Sequence, residues 1–296
     1  LIRYLISRHT YRKYIMTVLD NLPTIKEVIR QYGLHANKKL SQNFLFDLNI
    51  TTKIARSCPN LSESTILEIG PGPGALTRGL LIEKARKIYA IEKDARFLPA
   101  LNDVRNAYPG RLEVINGDAL NHTILENLAP PVQIFSNLPY NIGTELLTNW
   151  LDPPKWPPRW ETLTLMLQRE VAERLVAAPN CKEYGRLSIL TQWRNDVKII
   201  LRLPAKIFLP IPKVDSAVVQ IKHLKVPRFD VEYSILKKIV ARAFNQRRKM
   251  LRSSLKGISP DLLIKLREAN INPTKRAEEI SIEEYCSLAK IIGSIT

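Results

Sequence analysis

The chain has 296 residues, 45% of them apolar and 25% charged, which is the composition of an ordinary globular protein long enough for about two domains. No apolar run approaches the ~20 residues of a membrane helix, and three scattered cysteines (Cys58, Cys181, Cys286) and four histidines lack metal-ligand spacing, so we expect reduced thiols, a cytoplasmic setting, no membrane partner and no metal. The net charge of +17 points to a polyanionic partner, nucleic acid before an acidic membrane.

Residues 1–15 are basic, with Arg3, Arg8, Arg12 and Lys13 and no acid before Asp20. Charges interrupt their apolar positions too often for a secretory signal, while an organelle transit peptide stays open. The chain begins with Leu, so Met16 is a candidate start, and residues 1–22 are read as a disordered extension. A short helix is predicted over Thr24–Tyr32, stopped by Gly33. Lys38 and Lys39 then precede Gln42-Asn43-Phe44-Leu45-Phe46-Asp47. Alone this reads as a surface loop, with Asp47 capping a helix over Leu48–Cys58.

From Thr65 onward strands and helices alternate. Strands are predicted over Thr65–Ile69, Lys87–Ile91, Leu112–Ile115, Val132–Ser136 and Thr162–Leu167. Helices are predicted over Ala75–Lys84, Asp94–Asn102, Thr144–Leu151 and Arg169–Ala178. That alternation implies parallel βαβ units in a Rossmann-like, doubly wound α/β sheet. Asp152–Pro158 is a proline-dense stretch that has to be extended. Two β-rich runs, Val197–Leu203 and Val214–His223, flank Phe208-Leu209-Pro210-Ile211-Pro212-Lys213 and are expected to close the sheet as antiparallel strands. After Pro227 the pattern is wholly helical. The predicted organisation is therefore an extension over residues 1–22, a catalytic domain over 23–226 and a small helical domain over 227–296.

Charge is uneven along the chain. Between Ile200 and Lys256 fourteen Lys and Arg stand against three acids (Asp215, Asp230, Glu232), and Tyr233–Pro260 contains no acid at all. A solvated charged face usually mixes signs. This one does not, and Arg247, Arg248, Lys249 and Arg252 are the candidate contacts to RNA phosphates.

In an open parallel sheet, ligands bind at the carboxyl ends of the strands. Gly70-Pro71-Gly72-Pro73-Gly74 follows the first strand and opens a helix, an arrangement that lets backbone approach a ligand closely. Glu92 ends the second strand, where a carboxylate can accept from two ribose hydroxyls. Asp118 follows the third and can accept from an adenine amine. The spacing Gly70-x-Gly72-x-x-Ala75 also fits a dinucleotide loop, so NAD is an alternative on this segment. Glu68 before the loop, and the end of the fourth strand, favour S-adenosylmethionine.

That fourth strand ends in Asn137-Leu138-Pro139-Tyr140. An Asn carbonyl and a backbone carbonyl held by proline can accept both protons of an exocyclic amine, while Tyr140 offers a face the size of a nucleobase. Alone, the tetrapeptide is equally a strand-to-helix turn with a packed tyrosine.

Taken together these segments resemble the ribosomal RNA adenine N6,N6-dimethyltransferases of the KsgA type. The resemblance runs from about Pro23 to Ile292 and rests on Gln42-Asn43-Phe44-Leu45, Glu68-Ile69-Gly70-Pro71-Gly72, Asn137-Leu138-Pro139-Tyr140, the stretch from Phe208 to Ser216, Asn245-Gln246-Arg247-Arg248-Lys249 and Arg276-Ala277-Glu278. It implies a Rossmann-like methyltransferase domain with a small helical domain, acting as a monomer. It also implies a cofactor pocket lined by Asn43, Leu45, Gly70, Glu92, Asp118 and Asn137, which turns the loop at Asn43 into a pocket wall. The target base would be held by Asn137, Leu138, Pro139 and Tyr140, with Phe208 stacking on its other face. The implied reaction is transfer of methyl groups from S-adenosylmethionine to two adjacent adenosines near the 3′ end of small-subunit (16S) rRNA in a pre-30S particle. The alternatives are a large-subunit rRNA methyltransferase of the antibiotic-resistance type and a non-catalytic RNA-binding assembly factor on the same fold.

Overall fold

The structure, a computed structural model, describes residues 21–36, 42–121, 123–138, 143–153 and 155–293. The expectations made for residues 1–20, Lys38, Lys39, Pro139 and Tyr140 lie outside the described residues.

Local signals set the first elements. The Thr24 hydroxyl accepts from the Glu27 amide at 3.3 Å and the Glu27 carboxylate accepts from the Thr24 amide at 2.7 Å, a reciprocal cap that starts α1 (Ile25–Gln31). Gly33, at φ 58°, stops it. Strand β1 (Phe44–Leu45) comes next, then α2 (Leu48–Ala55), capped by the Asp47 carboxylate, which accepts from the Asn49 amide at 2.8 Å.

The main sheet is laid down by β2 (Thr65–Ile69), α3 (Ala75–Ile82), β3 (Lys87–Glu92), α4 (Leu98–Ala107), β4 (Leu112–Asn116), the short α5 (Ile124–Asn127), β5 (Val132–Asn137), α6 (Gly143–Leu151) and β6 (Trp160–Gln168). Two helices follow, α7 (Arg169–Val176) and α8 (Arg186–Gln192), then β7 (Asn195–Leu203), β8 (Phe208–Leu209) and β9 (Ser216–His223). The rest is helical: α9 (Tyr233–Asn245), α10 (Leu251–Ser254), α11 (Leu262–Glu268) and α12 (Ile282–Gly293).

Seven strands make one sheet in the order β4-β3-β2-β5-β6-β9-β7, and the pairings from β4 through β6 are parallel. The chain builds outward from β2 to β4 and then returns to β5 on the other side of β2. The order therefore reverses between β2 and β5, with Ile69 opposite Ser136 at their carboxyl ends. That is where ligands bind in such sheets, and Gly70 and Asn137 are the next residues on each strand. β8 stays out of the sheet. It pairs antiparallel with β1, Phe44 opposite Leu209 and Leu45 opposite Phe208.

The chain divides into two units. The first comprises residues 1–147, 159–167 and 200–218, the second 148–158, 168–199 and 219–296. In the first, Ile66, Leu80, Ile88 and Phe135 are fully buried between sheet and helices. In the second, Ile189, Leu236, Val240 and Tyr285 share one core. Pro227, the boundary expected from composition, falls inside this second unit, because a core gathers apolar faces by contact and recruits α8 alongside α9–α12. Buried Arg194 organises the same unit. Its guanidinium lies 4.3 Å from the ring centroids of both Trp156 and Tyr233, and it donates to the Leu151 carbonyl. Trp156 also donates its indole N–H to the Leu224 carbonyl at 2.9 Å.

One packing contact makes a sharp prediction. A Cβ on Gly79 of α3 would come within 2.7 Å of the Thr51 backbone carbon in α2. An exposed helical glycine gains stability on substitution by alanine, but here α2 has to move. Gly79→Ala is expected to destabilise by ~1–3 kcal/mol, as overpacked cores do. A denaturant melt checks this, and a midpoint at or above the wild type's would contradict it.

Candidate active site

The glycine loop after β2 has a backbone that side-chain-bearing residues seldom adopt. Gly70, Gly72 and Gly74 sit at φ 66°, 54° and 88°. Nothing lies within 4 Å of where a Gly70 Cβ would be, so the space above the loop is open. That space is a cleft whose walls include Asn43, Leu45, Gly70, Glu92, Asn137 and Leu138. Five of the six cofactor positions inferred from resemblance are therefore brought together, and the loop at Asn43 is a wall.

Glu92, at the end of β3, is 6% exposed. Its Oε2 accepts from the Gly72 amide at 2.9 Å and its Oε1 from the Asp94 amide at 2.8 Å. Burial pushes its pKa up and these amides counter it. Each oxygen spends one lone pair on an amide and keeps another for a ligand. Glu92 thus braces the loop and retains acceptor capacity.

Asn137 ends β5. Its side-chain NH2 donates to the Asn43 backbone carbonyl at 2.9 Å. That partner can only accept, so it fixes which way round the amide sits. Oδ1 is then the end left to receive a hydrogen-bond donor. Leu138 beside it is 2% exposed, and Tyr140 lies outside the described residues.

Two candidates are not among the walls of the cleft. Asp118 is not among the cleft-lining residues; its carboxylate pairs with Lys93 Nζ at 2.6 Å, which holds its pKa below the usual range. Phe208, expected against the base, is 2% exposed and packs in the core of the first unit. The correction has a simple cause. Strand pairing of β8 with β1 turns Phe208 inward opposite Leu45, and Leu209, 46% exposed, is the side chain left outside.

The cleft also has walls to which the sequence reading gave no role. Phe44 and Phe97 meet edge to face with centroids 5.5 Å apart, and Gln42 donates to Asp94 at 3.1 Å. Gln42 and Phe44 belong to the motif Gln42-Asn43-Phe44-Leu45. Phe97 carries no signal of its own.

In the second unit the basic run is split by its partners. Arg247 is ion-paired with Glu278 and donates to the Lys182 carbonyl at 2.7 Å, so it ties segments of this unit together. Arg248, Lys249 and Arg252 are exposed. An antiparallel bridge between Met250 and Arg276 brings exposed Arg276 alongside them, a cation the sequence had placed in a motif without a role.

The sequence profile of ribosomal RNA adenine dimethylases matches residues 33–294. The chain is 59% identical over 275 residues to the ribosomal RNA small subunit methyltransferase A of Ruegeria sp. (strain TM1040), covering 93% of this chain and 98% of that protein. Among solved structures it resembles the 23S rRNA methyltransferase ErmE with a TM-score of 0.67 at 25% identity, over 85% of this chain and 100% of that one. It also shares its fold with a dimethyladenosine transferase from Plasmodium falciparum, with a TM-score of 0.70 at 23% identity over 83% and 95% of the two chains. With a profile spanning nearly all of its length and a relative so similar from end to end, the chain belongs to the ribosomal RNA adenine dimethylase family.

Proposed function

We infer that this protein transfers methyl groups from S-adenosylmethionine to the N6 amine of adenosine in small-subunit rRNA. Two adjacent adenosines near the 3′ end, within a pre-30S particle, are the proposed sites, and the enzyme is proposed to act as a cytoplasmic monomer. The observation that carries the reading is the Asn137 amide, its NH2 tied to Asn43 and its oxygen left to accept, on the cleft shared by the glycine loop and Glu92. The identity of 59% to a small-subunit enzyme, against 25% to ErmE, favours small-subunit over large-subunit rRNA.

The cleft suits S-adenosylmethionine on three counts. Glu92 keeps acceptors for two ribose hydroxyls, the space above Gly70 is open, and Glu68 offers toward a cation a buried acid without a hydrogen-bond partner among the described residues. S-adenosylmethionine, when bound, supplies a methyl group on an electrophilic sulfonium. The residues of the chain do the rest. The lone pair of an adenine amine is delocalised into its ring and is a poor nucleophile. Accepting its protons at Asn137 Oδ1 and at a backbone carbonyl of Leu138-Pro139 favours a pyramidal nitrogen whose lone pair is free to attack. Positioning of this kind supplies several kcal/mol, ~7–11 at the upper end. No strong general base is needed, because the alkylated ammonium is very acidic. Tyr140 stacks on the extruded base.

RNA phosphates are proposed to meet Arg248, Lys249 and Arg252, with Arg276 beside them. Neutralising two of these should weaken binding to RNA of any sequence and reduce the salt slope by ~0.7 per contact on single strands. Arg247→Ala should instead lower thermal stability, because it leaves Glu278 without its cation. Filter binding across a salt series checks the first statement, and an unchanged slope would return these cations to a merely solvated face. Titrating S-adenosylmethionine and NAD into the protein tests the cofactor: micromolar or weaker binding of the first and none of the second is expected.

A further inference from the structure

Strand β2 is buried along its whole length. In a parallel sheet covered on both faces such a strand is ordinarily apolar at every position. Glu68 breaks that rule. It is 1% exposed and lines the cleft, and neither of its carboxylate oxygens has a hydrogen-bond partner among the described residues. Thr77, whose hydroxyl is equally unpartnered, is the polar neighbour. An ionised carboxylate in this position is strongly unfavourable.

The group is therefore held as the neutral acid. Burial pushes its pKa up to about 8; the Thr77 hydroxyl and amide, outside hydrogen-bond geometry, hold it down in part, and the charge on Glu92 adds to the rise. Among the described residues, Glu92 is the charged group that acts on it. A neutral acid with no partner is an odd choice for a structural residue, since a leucine would fill the place without loss.

Resting on the S-adenosylmethionine reading, we propose that Glu68 balances the charge of the cofactor site. It is a carboxylic acid in the cleft without a cation and a carboxylate beside the bound sulfonium, so that cofactor binding expels the Glu68 proton to solvent. The demethylated product carries no sulfonium charge and leaves the acid protonated to a greater extent. The site therefore discriminates between the two by charge as well as by shape.

Because binding releases a proton, affinity for S-adenosylmethionine should rise with pH, up to tenfold per unit, and level off near pH 8. Stability without ligand should run the other way. The folded pKa is raised, so the wild type loses stability as pH climbs from the ordinary carboxylate range to about 8. Glu68→Gln copies the neutral acid in shape and charge and should fold.

The test is calorimetric titration of the full chain at pH 7 in phosphate and in Tris, whose ionisation enthalpies differ. Wild type should show a buffer-dependent heat equal to nearly one proton released for S-adenosylmethionine and less for S-adenosylhomocysteine. Glu68→Gln should bind both compounds with that Glu68 proton missing, a flatter pH profile, and a preference for the sulfonium reduced about tenfold. Its melting temperature should exceed the wild type's above pH 8. Equal proton release in wild type and Glu68→Gln would assign the proton to Glu92 or to the ligand and overturn the proposal. Buffer-independent heat in the wild type would do the same. If neither compound bound, the cofactor reading itself would fall, and this proposal with it.

Discussion

Replacing Asn137 with alanine is expected to lower the single-turnover rate of methyl transfer by on the order of 10²–10³-fold, the usual cost of losing one preorganised hydrogen bond to a reacting group. Asn137 gives its NH2 to the Asn43 carbonyl at 2.9 Å, so only Oδ1 is available for the substrate amine. Alanine removes that acceptor and also unties the Asn43 loop from β5. Asn137→Asp separates the two effects. It retains an acceptor but sets a second oxygen against the Asn43 carbonyl, and should be nearly as slow as alanine. Tyr140→Phe, which keeps the stacking face, should retain most activity. Quenched-flow rates on one preparation of undermethylated subunits would rank the three. Activity of Asn137→Ala equal to that of Tyr140→Phe would remove the amide from the mechanism.

Glu92→Ala is expected to weaken S-adenosylmethionine binding by on the order of ten- to a hundredfold. Two ribose hydroxyls would lose a charged acceptor, at ~1–3 kcal/mol. The loop would lose as well, because the Gly72 amide donates to the same carboxylate at 2.9 Å and would be left without it. Glu92→Gln tells these apart. It retains an acceptor for Gly72 but sets its NH2 against the Asp94 amide and halves what is offered to the ribose, so its affinity should fall below wild type and no lower than alanine. Calorimetry with S-adenosylhomocysteine gives the same answer without turnover. An unchanged affinity in Glu92→Ala would mean that the end of β3 does not hold the ribose.

Much of this arrangement was legible in the residues because local chemistry and tertiary structure agreed. Thr24 with Glu27, Asp47 and Gly33 mark helix ends that form where they stand. Five β-rich runs separated by helical patterns are the five parallel strands of the sheet, and with them comes the switch point beside Gly70 and Asn137. What was not legible depended on partners far away in the chain. A phenylalanine in a proline-rich stretch looks available to a ligand until β8 pairs with β1 and turns it into the core. Asp118 stands at a strand end as expected, and its pairing with Lys93 was not visible from spacing. Four adjacent cations look alike in sequence; the distant Glu278 makes Arg247 different from the other three. Glu68 shows the opposite case. Its place in a glycine-loop motif was visible, but its lack of a hydrogen-bond partner among the described residues became visible only with the strand buried.

The most direct test of the central claim is labelled methyl transfer from S-adenosylmethionine to undermethylated small subunits, large subunits and naked rRNA in parallel, with the label mapped to the nucleotide. The account predicts label on N6 of adenosine in small-subunit rRNA, in excess over large subunits. Asn137→Ala should lower its initial rate by on the order of 10²–10³-fold at equal protein and cofactor concentrations. Label going to large subunits instead, or RNA binding with no transfer to any of the three, would contradict it.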